Sequence, residues 1–218
     1  MEDFINARAN LVDCQLRPNC VTDPDLLDSF LSVPRERFVS PGQEALAYAD
    51  RCLDTSAGRA MMPPMFLGKV LQECAVSPDD VILVAACGRG YSCAVLSRMA
   101  ATVVGLEADT ALVAEANAIL SDLAADNAAV VEGDIASGLI DQGPYDVIVL
   151  EGGICSAPDI FIDQLSSGGR LAVFERLNDG TGQAVLYLKS GSTVSRRVLF
   201  DALLPVLPGF EAKSGFVF

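Results

Sequence analysis

From about residue 80 onward, short apolar segments alternate with stretches of helical spacing, and this alternation constrains the fold more than any other feature of the chain. Val81–Ala85, Thr102–Glu107, Ala129–Glu132, Val147–Glu151 and Arg170–Phe174 are each short and apolar enough for a buried parallel strand. Helical patterns at Ser92–Met99, Thr110–Ala124 and Ala157–Leu165 separate them. Parallel neighbours need such crossovers, so the pattern predicts a doubly wound, Rossmann-like α/β sheet with helices on both faces. After Gly180 the sequence "QAVLYLKSGSTVSRRVLFDALLPVL" holds two apolar runs around a Gly-Ser turn, which predicts an antiparallel hairpin on the sheet edge. Upstream, "DPDLLDSFLSV" predicts a helix started by Asp23 or Asp25 and closed by Pro34. A second helix is expected in "MFLGKVLQECAV", after Pro63 and Pro64 and before Pro78. At 218 residues the expectation is one domain over 1–218, with a helical extension (1–77) leading into the core (78–218).

The charge balance narrows the function. Fifteen Lys and Arg stand against 29 Asp and Glu, a formal net charge of −14. Such a surface repels polyanions, so no nucleic-acid partner is expected. No apolar run approaches the roughly 20 residues of a membrane span, so no membrane partner is expected either. The opening "MEDFINARANLVD" has an acidic start and no long apolar core, and no secretory leader is expected. The seven cysteines are never spaced C-x-x-C, which fits reduced thiols and a cytoplasmic location. There is no His, so neither imidazole base catalysis nor a His-held metal is available, and no metal site is predicted.

Ligands of open α/β sheets lie at the carboxyl ends of the strands, and four such ends carry notable residues. "VILVAACGRGYSCAVL" runs from a strand through Gly88 and Gly90, which allow close backbone approach, into a helix headed by Tyr91. Glu107 ends the second strand seventeen residues after Gly90, where a carboxylate can accept hydrogen bonds from both hydroxyls of a ribose. Asp134 in "EGDIASG" follows the third strand and suits an adenine amino group. Glu151 and the Gly152–Gly153 pair end the fourth, while Asp146, at its opposite end, is expected to be structural. Cys87 and Cys93 are expected to pack rather than react, and Met61, Met62 and Met65 to line an apolar wall.

Five parallel strands with a terminal antiparallel pair resemble class I S-adenosylmethionine-dependent methyltransferases. The segments "LRPNCVTDPDLLDSFLSVPRERFVSPGQEALAYAD", "ACGRGYSCAVLSRMAATVVGLEAD" and "GPYDVIVLEGGICSAPDIFIDQLSSGGRLAV" are similar, in order and spacing, to the protein-L-isoaspartate O-methyltransferase family. "VPRERFV" and "DQLSSGGRL" are the most family-specific pieces. The resemblance implies methyl transfer from S-adenosylmethionine to the carboxylate of an isoaspartyl residue, a protein-repair reaction; a small-molecule acid is the alternative acceptor. It also implies cofactor contacts at Ala86, Cys87, Gly88, Gly90, Tyr91, Glu107, Ala108, Asp134 and Ile135, to which Glu151 is added from its own place at the carboxyl end of a strand, and a substrate-side segment at Met62, Pro63 and Pro64. No base is needed, because a carboxylate of reference pKa near 4 is already ionised at neutral pH. The resemblance leaves the oligomeric state open.

The chain departs from the family pattern at three places. Val84 and Ala86 stand where the family has an acidic residue and the first glycine of its loop. Losing a hydrogen bond to a charged group, worth roughly 1.5–3 kcal/mol, predicts cofactor binding weaker by about one to two orders of magnitude. Glu151 is a candidate to take over the cofactor ammonium. Arg89 is expected to place a cation close to the sulfonium. Met62 replaces a serine whose hydroxyl would hold the substrate carboxyl group, and a thioether offers no donor. A non-catalytic or substrate-shifted relative is therefore the second reading of the sequence.

Overall fold

The computed structural model describes residues 2–55 and 59–212 of the chain. Helix α1 (Glu2–Leu11) runs through a π turn at Val12–Leu16 and leads to α2 (Pro24–Ser32). Asp23 caps α2 by accepting a hydrogen bond from the Leu26 amide, and Pro24 fills the first turn, where no amide is needed. A small antiparallel pair, β1 (Leu53–Asp54) and β2 (Ala60–Met61), precedes α3 (Pro64–Cys74). The core then alternates: β3 (Val81–Ala85), α4 (Tyr91–Leu96), β4 (Thr102–Glu107), α5 (Thr110–Asp122), β5 (Ala128–Glu132), β6 (Tyr145–Ile154), α6 (Asp159–Asp163), β7 (Leu165–Arg176). Strands β8 (Gly182–Ser190) and β9 (Thr193–Asp201) form the expected hairpin.

The seven-stranded sheet has the order β5-β4-β3-β6-β7-β8-β9, parallel through β7 and antiparallel beyond it. Side chains alternate across it. Ile82, Val84, Val147, Val149, Ala172 and Phe174 pack with residues of α1 to α5 on one face. Leu83, Ala85, Ile148, Leu150, Leu171 and Val173 pack on the other face against Phe161, Leu207 and Phe210. Both faces are buried, which is why these strands are continuously apolar.

Several element boundaries differ from the sequence expectation, most of them by one or two residues and three in ways that matter for the fold. The fourth helix ends at Leu96 rather than Met99. The helix expected over Ala157–Leu165 is the five-residue α6, because Leu165 already pairs with Tyr145 as the first residue of β7. Strand β6 extends beyond Glu151 because Gly153 donates to Pro205 O (2.7 Å) and accepts from the Leu207 amide (2.8 Å), so the C-terminal segment prolongs its pairing. A Cβ on Gly152 would stand 2.4 Å from the Leu207 side chain, and one on Gly153 2.7 Å from Leu204 O. The glycine pair therefore admits the returning chain.

At the amino ends of the strands, Arg170 is the clamp. Its guanidinium donates to Cys74 O (2.7 Å), Ala75 O (2.7 Å) and Asp80 Oδ2 (2.8 Å). It thereby joins β7 to the end of α3 and the start of β3. Asp146 sits nearby and accepts from the Val81 amide and the Ser166 hydroxyl, the structural part expected of it. Arg170→Ala takes a donor from three carbonyls, those of Cys74, Ala75 and Asp146, and leaves the buried Asp80 carboxylate without its cation, with the Ser77 amide as its remaining donor. Chemical denaturation is expected to show a loss of about 3 kcal/mol, the range for breaking one partner out of a buried ion pair. At the opposite end of β3, Ala86 has φ +62°, the left-handed region where a Cβ costs about 1 kcal/mol. Ala86→Gly is expected to raise stability by up to about 1 kcal/mol in the same measurement.

Candidate functional site

The order of strands reverses at β3: the chain proceeds outward through β4 and β5, then returns to the other side of β3 with β6 and β7. The crevice at the carboxyl ends of these strands is where an α/β sheet binds ligands. Ala86 and Cys87 leave β3 and both donate their amides to Leu106 O. Gly88 (φ +56°) and Gly90 (φ +83°) then turn the chain into α4. Nothing lies within 4 Å of a Cβ built on Gly88, so that face of the turn is open. Gly90 instead faces inward, where a Cβ would meet Ala116 of α5 at 3.3 Å.

Glu107, at the end of β4, is completely buried. Its Oε1 accepts from the amides of Ala108 (2.8 Å) and Asp109 (3.0 Å), and its Oε2 from the amide of Gly88 (2.9 Å). Arg59, just before β2, closes the shell with a bidentate ion pair, Nη2 to Oε1 at 2.6 Å and Nη1 to Oε2 at 2.8 Å. Two parallel N–H···O bonds between a guanidinium and a carboxylate are the strongest geometry such a pair has.

Glu151 is the second buried acid. Strands β6 and β7 lose register between Val149 and Gly153, where β6 takes four steps for two in β7. A bulge of this kind re-aims side chains, and Glu151 lies within it. Its Oε1 is buried without a hydrogen-bond partner. Burial pushes its carboxyl up to about 7; the Ser92 hydroxyl and the cations of Arg35 and Arg59 pull the other way, while the Glu107 carboxylate adds to the rise. Arg35, in the "VPRERFV" segment, is buried beside it, donating to Ala47 O and Met62 O at 2.7 Å each and lying 4.6 Å from the centre of the Tyr91 ring. Its Nη1 has no partner, and burial lowers its pKa. Tyr91 packs edge-on against Phe38 and Phe30, and its hydroxyl is pushed up to about 12 by burial.

The structure brings Ala86, Cys87, Gly88, Tyr91 and Glu151 to one cleft, faced by Phe38, Arg59 and Met61. Glu107 lies beneath Arg59, and Ala108 supplies one of its amides. Asp134 is exposed and caps the short turn Ile135–Ser137, accepting from the Ala136 amide and the Ser137 hydroxyl. Ile135 shares an apolar cluster with Ala86 and Leu106. Met62, Pro63 and Pro64 are buried, with Met62 in the main core, so Arg59, Ala60 and Met61 form that wall of the cleft. Arg89 also lines this cleft, and its charge is paired. Its Nε donates to Glu115 Oε2 at 2.6 Å and its Nη1 to Ser40 Oγ, so α5 neutralises it. Cys87 and Cys93 are buried, as expected. Among the described residues, no group of three His, Cys, Asp or Glu side chains is placed to hold a metal.

Sequence reasoning missed two residues. Arg59 carries no signal, because a lone Arg in "AGRAMM" names neither its partner nor its direction. Arg35 lay in a segment noted for its family character, yet only the fold shows it wedged under Tyr91 beside Glu151.

Comparison with known proteins fits this geometry. The model of the protein-L-isoaspartate(D-aspartate) O-methyltransferase family matches residues 6–199. A protein-L-isoaspartate O-methyltransferase of Koribacter versatilis is 34% identical over 170 residues, covering 78% of this chain and 77% of that one. One of Roseiflexus castenholzii is 32% identical over 209 residues, 95% of this chain and 94% of that one. Among solved structures, a protein-L-isoaspartate O-methyltransferase superposes with a TM-score of 0.81 at 24% identity, over 93% of this chain and 66% of that one. A Plasmodium falciparum relative, described as in complex with S-adenosyl-L-homocysteine, gives 0.74 at 20% identity over 94% and 97%. These two likenesses establish the fold. With most of its length matched by the family model, the chain belongs to the protein-L-isoaspartate(D-aspartate) O-methyltransferase family.

Proposed function

We propose that this protein is an S-adenosylmethionine-dependent carboxyl O-methyltransferase that acts on the isoaspartyl carboxylate of peptides and proteins, in the cytoplasm, as a single domain. The observation that carries the reading is the juxtaposition, in a member of this family, of an open glycine turn at Gly88, a strand-end carboxylate at Glu107 and a buried carboxylate oxygen of Glu151 without a partner. Buried polar atoms are almost always satisfied, so an orphaned oxygen on a cleft wall marks a place for a donor. The donor set fits S-adenosylmethionine: Glu107 suits two ribose hydroxyls, and Glu151 suits the ammonium that Val84 and Ala86 cannot hold. When bound, this cofactor supplies an electrophilic methyl group on a sulfonium.

The chain's own contribution is orientation and exclusion of water. Tyr91, Phe38 and Met61 give the cleft apolar walls. An acceptor carboxylate is ionised without help, so a site with no His suffices and no side chain need take a proton from it. Holding the two reacting atoms in line can supply up to about 7–11 kcal/mol of the barrier reduction. The high pKa of Glu151 makes its ionisation part of binding: the proton that burial retains must leave before an ammonium is accepted.

With S-adenosylmethionine and an isoaspartyl peptide, the protein is expected to form a peptide methyl ester, visible by mass spectrometry, and to leave the corresponding aspartyl peptide unchanged; absence of the ester refutes the reading. By calorimetry, S-adenosylhomocysteine affinity is expected to rise with pH until about 7 and then level. Glu151→Gln is expected to flatten that profile and weaken binding by about 10- to 100-fold, the worth of a hydrogen bond to a charged group. The same residue shapes stability. The unfolded chain releases the Glu151 proton near 4.5 and the folded protein near 7. The folded state thus holds the extra proton in between, so stability falls as pH rises from about 4.5 to about 7. Denaturation of Glu151→Gln is expected to lack that part of the decline, roughly 3 kcal/mol at most.

A further inference from the structure

We infer that Arg59 is the specificity residue for the acceptor carboxylate, and that it waits on Glu107 until the cofactor ribose displaces it. This rests on the function proposed above and adds what recognises the acceptor. A carboxylate offers about four lone-pair sites. Glu107 already accepts five hydrogen bonds, two from Arg59 and one each from the amides of Gly88, Ala108 and Asp109. A ribose diol therefore cannot be added to this carboxylate; it must replace something.

The three amides belong to the glycine turn, the end of β4 and the start of α5, and they stay as long as the sheet does. Arg59 comes from the other side of the cleft, next to the two-residue strand β2. It is the partner that can leave. It also lines the cleft, which holds only about 20 Å³ of open space, room for one water molecule.

A displaced Arg59 remains tethered at Ala60 and Met61, on the wall facing Ala86 and Glu151, where an acceptor must approach the methyl group. The guanidinium fork matches a carboxylate bidentately, and the structure displays that match with Glu107 standing in for the acceptor. The other cation lining the cleft, Arg89, is held by Glu115 and Ser40, and Arg35 behind it is completely buried and donates to Ala47 and Met62, its unpartnered Nη1 being buried as well. Met62, in the position of a serine donor, has none to give. Arg59 thus couples the two ligands: the ribose frees the guanidinium, and the guanidinium takes the acceptor. Cofactor binding precedes acceptor binding.

The test compares wild type, Arg59→Gln and Arg59→Lys by calorimetry with S-adenosylhomocysteine alone, and by steady-state methylation of an isoaspartyl peptide. Arg59→Gln is expected to bind S-adenosylhomocysteine at least tenfold more tightly, while its KM for peptide rises at least tenfold and kcat stays within about threefold. A purely structural role would weaken both ligands together. Arg59→Lys keeps the charge without the fork and is expected to fall between; if the Gln variant does not fold, the same two shifts in the Lys variant decide the matter. Unchanged or weaker S-adenosylhomocysteine binding in the variants, or an unchanged peptide KM, overturns the assignment even where wild type methylates the peptide and the proposed function stands. Failure of every form to bind S-adenosylhomocysteine overturns both.

Discussion

The carboxylate of Glu107 is the point on which the ligand end of this molecule is organised. It is fully buried, and a buried charge persists only when it is paired and hydrogen-bonded. Three amides meet that need, and each comes from a segment whose path is thereby set: Gly88 in the glycine turn after β3, Ala108 just past the end of β4 and Asp109 at the N-cap of α5. Asp109 then caps α5 with its own side chain. The fourth partner, Arg59, ties the small β1–β2 hairpin down onto the sheet.

Glu151 shows the opposite solution to burial. It has a bulge to aim it, but one oxygen without a partner, and its carboxyl holds a proton to about 7. Two acids on neighbouring sides of β3 are thus partnered differently, one with both oxygens hydrogen-bonded and the other with an oxygen left over. Pairs of titratable groups whose environments diverge are characteristic of functional sites. Around them, Arg35 wedged beneath Tyr91 connects the N-terminal helices to the same cluster, so the extension is part of the site's wall. The far end of the sheet is a different kind of structure: Arg170 and Asp146 satisfy strand starts and helix ends, and their contacts are those of a fastening.

Much of the architecture was legible in the residues. Short β-branched runs alternating with helical spacing located all five parallel strands, and the Gly-Ser turn located the closing hairpin. The errors fell at ends: α6 is only five residues long and β6 runs on to Ile154. In both places long-range pairing, Leu165 with Tyr145 and Gly153 with Val206, prevailed over local pattern. The Gly152–Gly153 pair was noted for its position at a strand end, yet its tightest constraint is the C-terminal chain packed against it.

The sequence by itself determined the fold class, the position of the ligand crevice and the acids at its rim, because these follow from periodicity and from where strands stop. It could not say which cation meets which acid. Arg59 lies 48 positions from Glu107, and nothing local favours that pairing over one with any of the other acids. Arg89, on the cleft's own glycine turn, pairs with Glu115, whereas Arg59 reaches Glu107 from beside a strand only two residues long. Ion pairs and buried, orphaned oxygens are properties of chain segments brought together by the core. Tertiary structure alone decided that the carboxylate prepared for a ribose is held by a guanidinium.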